Sequence, residues 1–428
     1  MSRSRWLLAA CAILAAATPH LRAAAATEPA QAGAELSIYL ITMEGGDEIF
    51  EKFGHNAILV HDAAAKTDDL FNYGVFTFEN NFYYRFLKGD LDYWIEDWPA
   101  REALEDYAAH NRSIWQQELN LSPAQRVKLR DFLFWNARDE NKYYRYNYYT
   151  DNCSTRVRDA IDNVLGGQIK AQLEKLPTGT TFRWHTRRLT QVEPLWYTAL
   201  NTVLGPATDR LISQSEESFL PLKLQDHLRH VTIKSPDGRD VPLIKAERTL
   251  FTSTRAPEPT RAPTWWWPWY LLIGGIIGGL IILLGRLAPR SKWARRGFGV
   301  GATTYATILA LCSGFGLYTW FFTSHWAAWR NENLLGYSPA ALPLIFTIPI
   351  VVALPKMGRK KPRGVVGFTV VCAFVVAASS ILGVIVSGML PQHIAEPMSL
   401  VLPINVALAF ALFRYAQANA PSHPQRAS

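Results

Sequence analysis

The chain is poor in cysteine. Of its 428 residues four are cysteine, and Cys11, Cys312 and Cys372 all lie in hydrophobic segments. Cys153 is therefore alone in a polar stretch of about 225 residues, which excludes a disulfide inside it. No Cys, His and carboxylate cluster has metal-ligand spacing, so neither a metal nor a cofactor is expected. Internal repeats are missing too. Acidic residues are missing from the two short loops that carry Arg286, Arg290, Lys292, Arg295 and Arg296, and Lys356, Arg359, Lys360, Lys361 and Arg363. These ten cations account for the formal net charge of +8, so the basic balance reports membrane topology and not nucleic-acid binding.

What is present in quantity is hydrophobic length. Arg3 and Arg5 precede an apolar run from Trp6 to Ala17 and small residues at Ala23–Ala26, the pattern of a secretory leader over 1–26. Five membrane helices are expected at about 268–286, 298–323, 339–355, 364–390 and 397–414. The positive-inside rule makes both basic loops and the 417–428 tail cytoplasmic and puts residues 27–265 outside, with a periplasmic domain over 27–251, as the leader does independently. Trp265, Trp266, Trp267, Trp269 and Tyr270 form an interfacial belt within a linker over 252–267, ahead of a transmembrane domain over 268–416.

The outer part reads as α+β. Strands are expected at 36–42, 55–61 and 69–78, the last two as a hairpin with His55, Ala57, Leu59 and His61 on one face. Either Asn72 or Tyr73 shares that face, because a one-residue slip exchanges them. The aromatic stretch 82–98 is expected mainly in the core, with a lipid-facing ledge as the alternative. Ser122-Pro123-Ala124-Gln125 starts a helix running to about 137. Tyr144, Tyr146 and Tyr148 alternate as in a short strand that packs on the core. A helix over 189–204 and a hairpin over 231–241 follow.

The chemistry centres on Thr150-Asp151-Asn152-Cys153-Ser154-Thr155-Arg156. Val157, Ala160, Ile161, Val164 and Leu165 recur with helical period, Asp151 or Asn152 caps the start, and Gly166-Gly167 ends the helix. A thiol at a helix N-terminus is favoured as thiolate, and an unpaired thiol in an oxidising compartment is a liability unless it has a chemical role. Such a nucleophile needs a base and a group to hold that base. His55 and His61 both qualify by residue type. His110 looks exposed, His185 sits among arginines, and His227 with His230 lies on a polar helix.

Gly54-His55-Asn56-Ala57, Asn72-Tyr73-Gly74-Val75-Phe76, Asn81-Phe82, Leu119-Asn120-Leu121-Ser122, Tyr146 with Asp151-Asn152-Cys153-Ser154, Leu204-Gly205 with Asp209-Arg210, and Phe219-Leu220-Pro221 together resemble the Lnb-type lipoprotein N-acyltransferase family. So does Asn331-Glu332-Asn333-Leu334-Leu335 in the membrane part. The resemblance implies a circularly permuted papain-like fold, histidine before cysteine, and an inner-membrane thiol acyltransferase. Cys153 is then the nucleophile, His55 the base and Asn72 its orienting group. Tyr73, Asn152, Asn331 and Asn333 are expected to bind substrate, the last two either at a head group or as turn caps. The implied partners are a phospholipid acyl donor, a diacylglyceryl-cysteine lipoprotein acceptor and the membrane. Competing expectations are a Cys/His peptidoglycan endopeptidase or amidase, a lipid hydrolase, and a non-catalytic membrane scaffold.

Overall fold

The structure, a computed structural model, describes residues 31–79, 81–264, 266–353 and 363–419. The expected leader, Trp265, Lys356, Arg359, Lys360, Lys361 and the end of the tail lie outside them. In chain order the outer part runs β1 (Leu36–Met43), β2 (His55–Asp62), β3 (Thr67–Val75), α1 (Phe82–Lys88), β4 (Asp92–Pro99), α2 (Ala100–Ala109), β5 (Ile114–Leu119), α3 (Pro123–Asn136) and β6 (Tyr143–Arg145). It continues with α4 (Cys153–Val164), α5 (Gln168–Leu173), β7 (Pro177–Thr181), α6 (Phe182–Thr190), α7 (Pro194–Val203), β8 (Leu211–Ser213), α8 (Gln214–Glu217), α9 (Pro221–Leu228), β9 (Thr232–Lys234), β10 (Asp240–Pro242) and β11 (Ile244–Phe251). Seven strands form one antiparallel sheet in the order β11-β5-β1-β2-β3-β4-β6.

The two-residue period of these strands divides their side chains between two cores. Ile38, Leu40, Ile58, Val60 and Phe71 pack against α3, α4 and α9 on one face. Ile41, Met43, Ala57, Leu59 and Leu70 pack against α2 on the other.

Several expectations are corrected. The third strand ends at Val75, because Gly74 adopts φ +91° and the ladder slips a register between Tyr73 and Val75. The 189–204 helix is two helices, since Pro194 starts a new one and α6 stops at Thr190. The tyrosine strand ends at Arg145. Strand β11, which pairs with β5, was not anticipated: its exposure pattern carries no alternation. The aromatic stretch after residue 78 is largely on the surface, with α1 burying none of its residues.

The C-terminal part is a bundle of α10 (Trp267–Leu287), α11 (Lys292–Phe322), α12 (Leu342–Ala353), α13 (Arg363–Val386) and α14 (Ala395–Ala418). Four are long and apolar enough to cross a membrane, and five segments do so if the pair 326–335 and 339–353, bent by 61°, is one broken span. The reason is length: α12 has 12 residues, roughly 18 Å against a hydrocarbon core of about 30 Å. Helix α14 packs against α10 through glycine. A Cβ on Gly274 would stand 2.3 Å from the Leu400 carbonyl oxygen.

Sheet domain and bundle share a buried polar joint. Glu396, at the start of α14, accepts hydrogen bonds from Arg187 Nη2 (3.0 Å), Tyr197 Oη (2.8 Å), Asn201 Nδ2 (3.0 Å) and the Trp266 amide (2.7 Å). Asn331 Nδ2 donates to the carbonyls of Thr202 (2.8 Å) and Val203 (2.9 Å), and Asn333 Nδ2 to Thr202 (2.9 Å). The two asparagines thus satisfy the orphan carbonyls ending α7, from another part of the chain. That favours the capping reading over the head-group site: both are buried and their amide nitrogens are committed to these carbonyls. Asn331 also caps its own short 3₁₀ turn through the Asn333 amide.

Candidate active site

The site lies at the end of the sheet where β2 begins and β3 leaves the ladder. Ala57 pairs with Asn72, which settles the register: Asn72 shares the face of His55, and Tyr73 lies on the other. Asn72 Nδ2 donates to the Leu70 carbonyl at 3.1 Å, so its Oδ1 turns toward His55 Nε2 at 3.3 Å. An oxygen acceptor there assigns the proton to Nε2 and leaves Nδ1 with its lone pair. Nδ1 has no hydrogen bond among the described residues.

Cys153 is the first residue of α4 and keeps part of its surface open. The helix is held in place by a reciprocal cap. Asn152 Oδ1 accepts from the Thr155 amide (2.9 Å) and Thr155 Oγ1 from the Asn152 amide (2.8 Å). Asn152 Nδ2 goes to the carbonyls of Tyr148 and Phe219. The expected substrate contact of Asn152 is therefore corrected: it is buried and all its polar atoms are used by the protein. Tyr73 is corrected likewise, because its ring fills the α4 core and its hydroxyl donates to Asn136 Oδ1 at 2.8 Å.

His55 and Cys153 belong to different layers, and two features bring their surroundings together. Ser154 Oγ lies 2.8 Å from Asn56 Oδ1, tying the residue after the thiol to the residue after the imidazole. Gly74 supplies the space: a Cβ there would stand 3.5 Å from Cys153 Cβ and 3.8 Å from both Tyr144 Oη and Tyr146 Cε2. The backbone N–H groups of Asn56, Cys153 and Ser154 all act on the sulfur in favour of thiolate. Burial outweighs them and holds the thiol above its ordinary value. This corrects the expectation that the helix terminus alone favours thiolate. Burial also lowers His55 to about 4, with the Arg112 charge adding to it and the Asn72 hydrogen bond opposing it. At neutral pH the resting pair is thus neutral thiol and neutral imidazole.

The remaining neighbours were not legible in sequence. Tyr107 stacks on His55 with ring centroids 6.2 Å apart, and the Arg112 guanidinium sits 4.6 Å over the Tyr107 ring. Arg112 is itself buried, donating from Nε to the Glu44 carbonyl at 2.7 Å. Nothing local marks it. Asn56, a polar residue in an apolar strand, was the signal available. The hydroxyl of Tyr144 is buried, has no hydrogen-bond partner among the described residues, and faces the Gly74 gap beside the thiol. Its ring is fixed by Arg156, 4.1 Å above it.

Three of the other histidines considered have partners away from the thiol. His61 pairs with exposed Asp68, and His185 and His227 both hydrogen-bond buried Glu217 at 2.8 Å.

In class, this is a cysteine, histidine and asparagine arrangement on a mixed α/β domain joined to a bundle of apolar helices. Residues 26–189 match the family described as the Lnb N-terminal periplasmic domain. The chain is a membrane protein with a periplasmic domain, and the match spans His55, Asn72 and Cys153. No curated protein and no solved structure matches the chain.

Proposed function

We propose that the protein is a thiol acyltransferase of the inner membrane, moving an acyl chain from phospholipid to the α-amino group of a diacylglyceryl-cysteine lipoprotein. The observations that support this reading are a partly open thiol and an asparagine-held imidazole whose following residues, Ser154 and Asn56, are hydrogen-bonded to each other, in a domain joined by buried polar contacts to membrane helices. The order histidine then cysteine, with the thiol opening a helix, accords with a permuted papain-like arrangement.

Because the resting pair is neutral, His55 acts as general base during attack and not as a preformed imidazolium. Nδ1 takes the Cys153 proton while the sulfur bonds the ester carbonyl carbon. The oxyanion is held by backbone N–H groups at the start of α4 and by the Tyr144 hydroxyl. The carbon–oxygen ester bond then breaks, the proton passes from imidazolium to the departing glyceryl oxygen, and lysophospholipid leaves a thioester. The lipoprotein amine attacks that thioester, the carbon–sulfur bond breaks, and the amine's proton returns through His55 to the sulfur. Amide and free thiol result.

The test is trapping. Incubation with phospholipid labelled in the acyl chain is expected to leave a hydroxylamine-sensitive label on Cys153, absent from Cys153→Ala. Addition of a diacylglyceryl-cysteine peptide then moves the label to its amino group. A label never found on Cys153, or lost only as free fatty acid with the acceptor present, rejects acyl transfer.

A further inference from the structure

Helix α1 is the least protein-like element of the outer domain. Its sequence, Phe-Tyr-Tyr-Arg-Phe-Leu-Lys, is mostly apolar or aromatic, yet none of its residues is buried. Tyr83 is 71% and Phe86 44% exposed, and nearby Phe78 and Phe50 are 54% and 55% exposed. A contiguous apolar surface of this kind on a folded protein marks a contact with something else.

What covers it follows from where it is fastened. The α1 end is docked on the outer end of membrane helix α11. Ser324 Oγ lies 2.7 Å from the Gly89 carbonyl oxygen, the Ser324 amide donates to Lys88 (3.0 Å), and His325 Nε2 donates to the Phe86 carbonyl (2.7 Å). Helix α11 itself ends with exposed Phe321 and Phe322. The α1 aromatics therefore continue a lipid-facing helix surface at the level where bilayer meets water, the depth that Tyr suits best. Lys88, over the Tyr84 ring at 4.9 Å, presents a cation there, as anionic head groups require.

The same aromatics lead inward. Phe82 stacks on Phe76 (5.5 Å), Phe76 on Tyr93 (4.9 Å) and Tyr93 on Tyr146 (4.3 Å), whose ring borders the Gly74 gap beside Cys153. Phe50, on the loop that leads into His55, meets Phe76 from the other side at 5.9 Å. A cavity of about 290 Å³ opens beside this file, walled on one side by Phe76, Phe82, Tyr93 and Trp94 and at its rim by the charged Glu79, Arg85, Asp90 and Asp92.

We infer that α1 and the aromatic file behind it form an acyl-chain site, which dips into the outer leaflet and carries a glycerolipid ester from the bilayer to Cys153. The inference rests on the thiol chemistry proposed above and adds to it the place of lipid access. It commits to lipid because α1 is fastened to a membrane-spanning helix.

The test uses the full chain in nanodiscs containing phosphatidylglycerol with a diazirine at the end of one acyl chain. In Cys153→Ala, which holds the lipid unreacted, photolysis is expected to label peptides within 76–87 in addition to the outward faces of the bundle. Label confined to the bundle overturns the site, as does cross-linking of α1 to α1 of a second copy in place of lipid. In the otherwise native chain, Tyr83→Ser with Phe86→Ser is expected to slow Cys153 acylation at limiting phospholipid at least tenfold. A slowing of less than twofold overturns it. The two readings fail separately. Acyl-Cys153 with label only on the bundle rejects the site and spares the chemistry, whereas label on α1 without any acyl-Cys153 does the reverse.

Discussion

The substitution Tyr144→Phe separates catalysis from stability in sign. In the resting protein the Tyr144 hydroxyl is buried and has no partner among the described residues. Leaving such a group desolvated costs about 1–3 kcal/mol, so deleting it is expected to stabilise the fold by about 1 kcal/mol. For a domain of this size that corresponds to a melting temperature higher by about 2–4 °C. The ring keeps its contact with the Arg156 guanidinium, so packing is unchanged. The catalytic effect runs the other way. If the hydroxyl donates to the oxyanion, its loss is expected to lower the acylation rate about 10²- to 10³-fold. Burial also holds the phenol well above its ordinary value, so it stays a donor throughout the working range and the loss is independent of pH between about 5 and 9. Single-turnover acylation of Cys153 from labelled phospholipid, set beside thermal unfolding, measures both. An unchanged rate refutes the role in the oxyanion site. A lower melting temperature refutes the premise, because it means the hydroxyl already has a partner.

Asn72→Asp places a carboxylate where Asn72 Oδ1 now stands, so His55 is expected to rise from about 4 by about 1–3 pH units, and the acid limb of kcat/KM moves up with it. A limb that stays put means Asn72 does not hold the imidazole. In the native protein kcat/KM is expected to fall as pH drops through about 4, where His55 gains its proton and ceases to be a base. Because burial raises the thiol, iodoacetamide should alkylate Cys153 slowly at pH 6 and faster only on the alkaline side; rapid alkylation at pH 6 would reveal a preformed thiolate–imidazolium pair. Glu396→Gln removes the carboxylate shared by Arg187, Tyr197, Asn201 and Trp266. Breaking such a buried pair should destabilise the joint by about 3 kcal/mol, read as faster proteolysis of the 252–264 linker; unchanged proteolysis removes Glu396 from the joint.

The outline of this protein was written in local pattern. Membrane length, the capped helix behind Cys153 and the hairpin carrying His55 each follow from the spacing of apolar residues and the chemistry of a few caps, which act within a turn or a strand. Even the partner of His55 was narrowed to two neighbouring residues, Asn72 and Tyr73, and the register of the ladder decided between them. What sequence spacing could not decide was every relation that crosses elements. Whether a polar side chain serves substrate or the fold depends on which carbonyls stand opposite it, and Asn152, Asn331 and Asn333 turned out to face carbonyls of Tyr148, Thr202 and Val203. The charge state of the thiol was likewise beyond reach, because burial is a property of the packed whole and here outweighs the helix terminus that sequence reveals. Arg112, Tyr107 and the unpartnered Tyr144 hydroxyl come to the site from separate elements of the chain, and only the closing of the sheet around Gly74 puts them there.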